Sequence, residues 1–574
     1  MSVDPVTLEI VQNAVTAVAE RISTRMIRSA NSPIVKEMED CSASLFDSRG
    51  RLLGESANVP MHLNSLGVCL QTILDEYFPT QTWRPGDVVI TNDPYAGKGS
   101  LAAAHANDFL TFYPVYLDGA LVAFTGLMVH HLDIGSMWMG TRGWGVEIYQ
   151  EGFRVPPLKV VEEDKLDDKL MALMLNNTRV PDILENDLIS QISSVQTAGE
   201  DLLGLFRKYG TDVVTDCFDE LIAYSERRTR AAIETIPDGT YSHEEPLLDD
   251  GAMGGPFWLR LKIVKKGSEI TLDFTGTDGQ IQGPINSPLS ATYSAVYYVL
   301  RCLTDPTIPS TEGCRAPIHV IAHEGSIVNA QKPTAVMQRM VTAHTIVDLI
   351  MGALADAMPE KVMGDSCGCG YNHVITTDPD TGGRVVFGES VPGGMGATAL
   401  RDGLDVMSSH VTNFRVPTVE ATEIESPMMF LRREFREDAS GPGCWRGGAG
   451  QVTAYKVLGE TPQLHHTSQK SKSQPQGFFG AGPGDGGRWV INEGMPEERV
   501  LEYAIGDMEV IAQGDTVTHH GPAGGGYGPP HAREPRRVQA DARDGLITLA
   551  TAETVYGLRL DPETFEVVEN LRST

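Results

Sequence analysis

Apolar residues recur at helical spacing from the start of the chain. Leu8, Val11, Val15 and Val18 share one face of a helix that opens with Asp4 as N-cap and Pro5 at its first position. That helix runs to about Ala30, where Asn31-Ser32-Pro33 stops it. Glu39–Asp47 reads as a strand, Asp47–Gly50 as a turn, and Leu52-Leu53-Gly54 as the start of the return. Residues Ser65–Tyr77 have a helical pattern, and the turn Arg84-Pro85-Gly86-Asp87 introduces a strand, Val88–Thr91, that delivers Asn92-Asp93-Pro94-Tyr95 at its end. Phe109–Leu117 and Leu121–Leu127 read as two strands joined by Asp118-Gly119, a hairpin signal. Pro114 inside the first predicts an edge position.

Between Glu162 and Thr235, Pro becomes scarce and charges alternate with Leu, Ile and Ala. This predicts two or three long helices, including Ile189–Lys208 and Val213–Ile236, closed by Pro237-Asp238-Gly239. Strand patterns return at Phe257–Val264 and Glu269–Thr275, and helical ones at Ser294–Leu303 and Thr342–Ala357. The last is amphipathic through Ile346, Leu349, Ile350 and Leu354. After about residue 385, short strands alternate with Gly-rich stretches. The expected fold class is α+β and multi-domain, with a helical insert in the N-terminal half and a Gly-rich, β-dominated C-terminal half. The expected divisions are 1–160, 161–237, 238–384 and 385–574.

Composition narrows the function classes. A net charge of −30 with no basic stripe argues against nucleic acid or an anionic membrane surface as partner. The eight Cys include no C-x-x-C, and Cys367-Gly368-Cys369 alone is too weak to mark a metal site, so a reducing, cytoplasmic compartment fits best. The first residues carry acids and no basic segment, so no secretory leader is expected, and no apolar run is long enough to span a membrane.

The stretch from Asn92 to Gly135 concentrates the candidate chemistry. His105 and Asp108 lie three apart in H-A-N-D, and a hairpin would return His130 to their level. Imidazoles with carboxylates suit Zn²⁺ or Mn²⁺. Isolated histidines are more often ordinary hydrogen-bonded residues, but three converging groups favour a metal. A further carboxylate would come from elsewhere, with Asp40 preferred and Glu39 as fallback. Only one of His130 and His131 can face a given point on a strand. His131 and Asp133 would then support the site from behind, or act as proton acceptor and its orienting partner. Asp93 sits in a turn where locking the loop is at least as good a role as catalysis. His62 and His410 carry no assignment alone.

The chain lacks a P-loop and a G-x-G-x-x-G opening a helix after a strand. Its one G-x-S-x-G, Gly364–Gly368, lacks the strand–elbow–helix context. No nucleotide site of a familiar kind is expected.

Several stretches resemble the hydantoinase B family, the B-type subunits of ATP-dependent hydantoinases, oxoprolinases and lactamases, related to the alpha subunits of acetone-type carboxylases. They are DPVTLEIVQNAV (4–15), SASLFD (42–47), NDPYAG (92–97), HHLDIG (130–135), EIYQEGFRVPPLK (147–159), DFTGT and GPINSPLSATYSAVYY (273–298), GGMGATALRDG (393–403), CWRGGAGQ (444–451) and GGGYG (524–528). The resemblance implies a divalent metal on Asp40, His105, Asp108 and His130. It also implies an A-type partner that binds ATP and phosphorylates a cyclic amide, in a hetero-oligomer of A2B2 type. Water activated at the metal would open the ring, with His131 or Asp133 as proton acceptor. Two departures stand out: Lys98–Ala104 adds residues between the N-D-P-Y and the histidine, and the family's H-L-P-D is H-A-N-D here. Two alternatives are an alpha subunit of a ketone carboxylase and a non-catalytic scaffold for the ATP-binding subunit. Candidates for lining the pocket are Met137-Trp138, Trp144, Tyr371–His373 and Thr412-Asn413.

Overall fold

The computed structural model describes residues 3–56, 58–63, 65–98, 103–137, 145–250 and 254–572. The pocket candidates Trp138 and Trp144, and residues 99–102 of the added segment, lie outside them. The chain forms two compact units, one of residues 1–245 and 258–353, the other of 246–257 and 354–574. The stretch read as 238–384 contributes to both.

The first unit is built on a seven-stranded sheet. Its strands are β1 (Cys41–Asp47), β2 (Leu52–Ser56), β3 (Val88–Thr91), β4 (Asp108–Leu117), β5 (Ala120–His130), β6 (Leu158–Glu162) and β7 (Lys165–Leu166). Their order is β2-β1-β5-β4-β3-β6-β7, and every neighbouring pair runs antiparallel. The helices of this unit are α1 (Pro5–Ser29), α2 (Pro33–Lys36), α3 (Ser65–Glu76), α4 (Asp168–Leu175), α5 (Pro181–Tyr209), α6 (Thr211–Glu234), α7 (Leu289–Leu303) and α8 (Arg339–Leu354). Asp4 caps α1 as expected, its carboxylate accepting from the Thr7 N–H.

Both faces of the sheet are covered. Cys41, Ala43, Leu45, Phe109, Leu127 and Val129 pack with Val11, Val15 and Val18 of α1 and Leu188, Ile192 and Val195 of α5. Phe46, Leu110, Phe112, Phe124 and Met128 pack on the other side with Leu66, Leu70 and Ile73 of α3. Period-2 alternation sorts each strand between the two layers. Burial on both faces explains why these strands read as nearly continuous apolar runs.

Three sequence expectations need adjustment. Pro114 does not mark an edge strand: β4 lies between β5 and β3. It is tolerated because β3 pairs with β4 only through Leu110, Thr111 and Phe112, so Pro114 sits beyond that ladder. The strand read from Glu39 begins at Cys41, because Glu39 takes a left-handed φ of 58°. The helix read over 342–357 starts earlier, at Arg339, and ends at Leu354.

A second sheet of the first unit, in the order β11-β10-β9-β8, comprises β8 (Gly239–Leu247), β9 (Phe257–Lys266), β10 (Glu269–Asp273) and β11 (Ile318–Ile321).

The second unit holds two sheets around a core that includes Val374, Phe387, Tyr455, Leu464, Trp489 and Val517. One has the order β13-β12-β16-β19, the other β14-β15-β20-β17-β18. Here β12 is Gly370–Thr377, β13 Arg384–Ser390, β14 Met428–Phe435, β15 Gln451–Val457, β16 Glu460–Ser468, β17 Arg488–Ile491, β18 Arg499–Val500, β19 Ile505–Val510 and β20 Thr516–His520. The Gly-rich stretches are backbones laid against one another. A Cβ on Gly394 would stand 1.9 Å from the Gly448 carbonyl oxygen, and one on Gly447 1.9 Å from that of Gly524. Close approach of chain to chain therefore accounts for these glycines. The C-terminal region adds helices Pro535–Arg543 and Leu549–Thr554 over a small hairpin. Among the described residues no helix is long and apolar enough to cross a membrane.

Candidate metal centre

Three polar residues stand side by side at one end of the seven-stranded sheet. His130 is the last residue of β5 and Asp108 the first of β4, and they are direct cross-strand partners. On the other side of β5, Cys41 pairs with Val129, and the His130 N–H donates to the Asp40 carbonyl at 3.2 Å. Directly opposed residues of neighbouring strands project from the same face. Asp40, His130 and Asp108 therefore form a carboxylate–imidazole–carboxylate row on the α3 side of the sheet, continuing the alternation of Leu110 and Met128.

His105 joins the row from the turn ahead of β4. The Asp108 N–H donates to the His105 carbonyl at 3.1 Å, closing that turn. Asn92 fixes it from beneath. Its Nδ2 donates to the carbonyls of Ala106 (2.6 Å) and Phe153 (3.1 Å), and its Oδ1 accepts from the Val155 N–H (2.6 Å). His105 Nε2 then lies 3.1 Å from Asp108 Oδ1, and the His105 and His130 rings are 5.0 Å apart. One donor atom from each of His105, Asp108 and His130 falls within 4.8 Å of the others, and among the described residues this is the one such group of three. Asp40, next along the row, is not one of that group.

The site is enclosed: His105, Asp108, His130 and Asp40 are all buried. Burial first of all holds His105 and His130 below the usual imidazole range, with His105 adding to the shift of His130 and the Arg339 charge adding to both. The neutral ring is the form that binds a metal. Burial alone would raise Asp108, but His105, with its charge and hydrogen bond, and Arg339 outweigh it and hold the carboxyl well below the ordinary range. Asp40 goes the opposite way. Burial, and then the neighbouring Asp108, push it well above the ordinary range despite Arg339. Its Oδ1 is buried without a hydrogen-bond partner; the nearest imidazole nitrogen, His62 Nε2, is 3.8 Å away. An orphaned carboxyl oxygen beside two imidazoles and a second carboxylate fits a divalent cation, which would supply the missing partner.

The other residues singled out in the sequence are placed as follows. His131 points away from the row: its ring lies edge-on to Phe109 and its Nε2 is 3.1 Å from Gln191 Oε1. Gln191 Nε2 donates to the carbonyls of Phe109 and Leu127, so its Oε1 is the acceptor and His131 carries its proton on Nε2. Asp133 accepts from the Arg179 N–H (2.6 Å) and from Arg179 Nη1 (2.7 Å). Asp93 accepts from the Tyr95 N–H (3.0 Å) in an Asx-turn and from Arg154 Nη1 (3.1 Å). Glu39 is half-buried in the turn before β1.

His62, which the sequence left without an assignment, and two residues it did not single out, Met337 and Arg339, belong to the neighbourhood. His62 sits beside Asp40, with Nδ1 2.9 Å from Ser42 Oγ, and burial holds its pKa down to about 4. Met337 Sδ lies 3.3 Å from His105 Nδ1. Arg339 Nη2 lies 3.5 Å from Asp108 Oδ2. No local motif marks them, although a polar pair, Gln338-Arg339, opening an apolar helix was a usable signal.

The profile of the hydantoinase B/oxoprolinase family matches residues 4–530, and the chain belongs to that family. The B component of a putative D-/L-hydantoinase from a Pseudomonas species is 30% identical over 97% of this chain and 95% of its own. The beta chain of the caprolactamase of Pseudomonas jessenii, named as one of its subunits, is 27% identical over 98% of this chain and 97% of its own. The crystal structure of the ATP-dependent caprolactamase from Pseudomonas jessenii superposes with a TM-score of 0.90 at 26% identity, covering 98% of this chain and 97% of that one. A nucleotide-free acetone carboxylase, at 18% identity, shares the fold with a TM-score of 0.88 over 99% of this chain and 81% of that one.

Proposed function

We propose that this chain is the metal-bearing, ring-opening subunit of an ATP-dependent cyclic amidase, acting on a hydantoin, 5-oxoproline or another lactam with a separate ATP-binding A-type subunit. The observation that carries the reading is the convergence of His105, Asp108 and His130, with Asp40 beside them. These four residues would hold the metal, and two imidazoles with two carboxylates suit zinc or manganese. When bound, such an ion supplies Lewis acidity and brings the pKa of water towards about 7. The names of the hydantoinase and caprolactamase relatives support the substrate class, and their designation as subunits supports the partner.

Amide resonance makes an unactivated ring slow to open, so ATP would be spent on phosphorylating the amide oxygen before water attacks. Two water molecules then convert the phosphorylated ring to the open amino acid and inorganic phosphate. The chain's own contribution is a buried set of fixed donors. Asn92 and the β4–β5 ladder set His105, Asp108 and His130 in register. His62 stands 3.8 Å from Asp40, and Met337 backs the His105 ring. Asp133 and His131 hold the following loop, engaged by Arg179 and Gln191, rather than taking the proton. Asp93 locks its own turn.

The test is reconstitution with the A-type protein, reading ADP and ring-opened product in the presence of labelled bicarbonate. Unlabelled open-chain product with ADP supports the reading. Label in an acid product would instead make this a ketone carboxylase subunit, and full turnover by a His105→Ala/Asp108→Ala variant would leave only a scaffold role.

A further inference from the structure

Arg339 is the first residue of α8 and is only 5% exposed. A guanidinium carries five N–H donors. Here Nη1 reaches the Met337 carbonyl at 3.3 Å, Nη2 reaches Asp108 Oδ2 at the long distance of 3.5 Å, and Nε is buried with no acceptor. Most of the donor capacity of a buried arginine therefore lacks a protein partner. An arginine present only to neutralise Asp108 would use its planar fork on that carboxylate. This one makes a single, stretched contact.

The arginine is also held in place. Glu151 Oε1 accepts from the N–H groups of Val336 (2.9 Å) and Met337 (2.7 Å), bracing the segment immediately before it. From there its guanidinium reaches the Asp108 carboxylate of the site.

We propose that Arg339 is the anion-recognising side chain of this site and that its unused N–H groups bind a phosphoryl group. The proposal rests on the ring-opening reading above and adds to it the residue that selects a phosphorylated substrate. Glu151 is its positioning residue. The planar fork of arginine matches phosphate oxygens in a way that lysine does not. An unphosphorylated cyclic amide offers no anion to meet it, so the pocket discriminates in favour of rings that the partner has already activated. The phosphoryl group can arrive on the substrate or remain as released phosphate.

The experiment is calorimetric titration of the full-length chain with inorganic phosphate and, separately, phenyl phosphate, with metal content and melting temperature measured on the same samples. Wild type should bind, and Arg339→Gln should bind at least about tenfold more weakly with its metal and melting temperature retained. That loss would correspond to roughly one charge-assisted hydrogen bond. Arg339→Lys, which keeps the charge and loses the fork, should fall between the two and serves if the Gln variant does not fold. Phenyl phosphate binding as tightly as phosphate assigns the site to the substrate-borne group, and phosphate binding alone assigns it to the product. Unchanged affinity in Arg339→Gln, no binding by wild type, or loss of metal in both variants overturns the proposal. The titrations are repeated without metal, so failure of the metal reading appears as a metal-free wild type, while failure of this inference appears as phosphate binding indifferent to Arg339.

Discussion

Asp108 and His130 are the first and last residues of their strands and face each other as the terminal pair of the β4–β5 ladder. Everything at the site is referred to that pair. His105 reaches it through a three-residue turn, and Asp40 reaches it from the next strand through the His130 N–H. The geometry is set by backbone register, so a change that loosens the register should disperse the donors without touching any of them.

Asn92 tests this. It is fully buried and satisfies two carbonyls and one N–H that have no water to turn to. Asn92→Ala should cost at least roughly 3 kcal/mol, since each of the three buried backbone groups left unpaired costs about 1–3 kcal/mol. It should also weaken metal binding, read by competition with a chromogenic chelator. A variant that loses stability yet holds metal as tightly as wild type would show that the turn does not position His105.

Asp133 separates an anchor from a base. It takes three hydrogen bonds from Thr178 and Arg179, with its own side chain fully buried. Asp133→Asn should lower stability by roughly 1–3 kcal/mol. Turnover per folded, metal-loaded molecule should stay within about tenfold of wild type, because loss of a general base would cost roughly 10²–10⁴. A loss in that larger range, at unchanged metal content, would return Asp133 to the role of proton acceptor.

The second unit has a pH-sensitive core. Burial pushes Glu389 up to about 7, with Arg433 opposing it. The folded value lies above the ordinary 4.5, so the folded chain holds this proton more tightly than the unfolded chain does. That contribution to stability is complete below about 4.5 and is lost as the pH rises through about 7. Between those limits the stability of Glu389→Gln should depend less on pH than that of wild type, in the sense that the wild type loses more on going up. Parallel curves from thermal melts at several pH values would show that Glu389 is not the group responsible.

Much of the site was legible because its parts are local. H-A-N-D, the Asp118-Gly119 turn and H-H-L-D-I-G together carry a hairpin whose length returns His130 to the level of Asp108, and period-2 alternation separates His130 from His131. Asp40 was reachable only as an acid at a strand start. The pairing of β1 with β5, between residues far apart in the chain, is what places it, and no local pattern encodes that. Arg339 and Met337 were not legible for the same reason. They come from the start of α8, far along the chain, where the periodicity placed the helix start at Thr342 instead of Arg339. Pro114 misled because the rule for proline concerns a missing ladder bond, and an interior strand satisfies it wherever its neighbour is short. The Gly-rich stretches are interleaved backbones, and which segments meet is written in no single one of them.

The most direct measurement is the metal content of the purified chain by mass spectrometry, beside that of Asp108→Ala. The predicted result is about one zinc or manganese ion per wild-type chain and a large deficit in the variant, with ring-opening activity in the reconstituted complex following the metal. A wild-type chain that carries no metal and still opens the ring with its ATP-binding partner would contradict it.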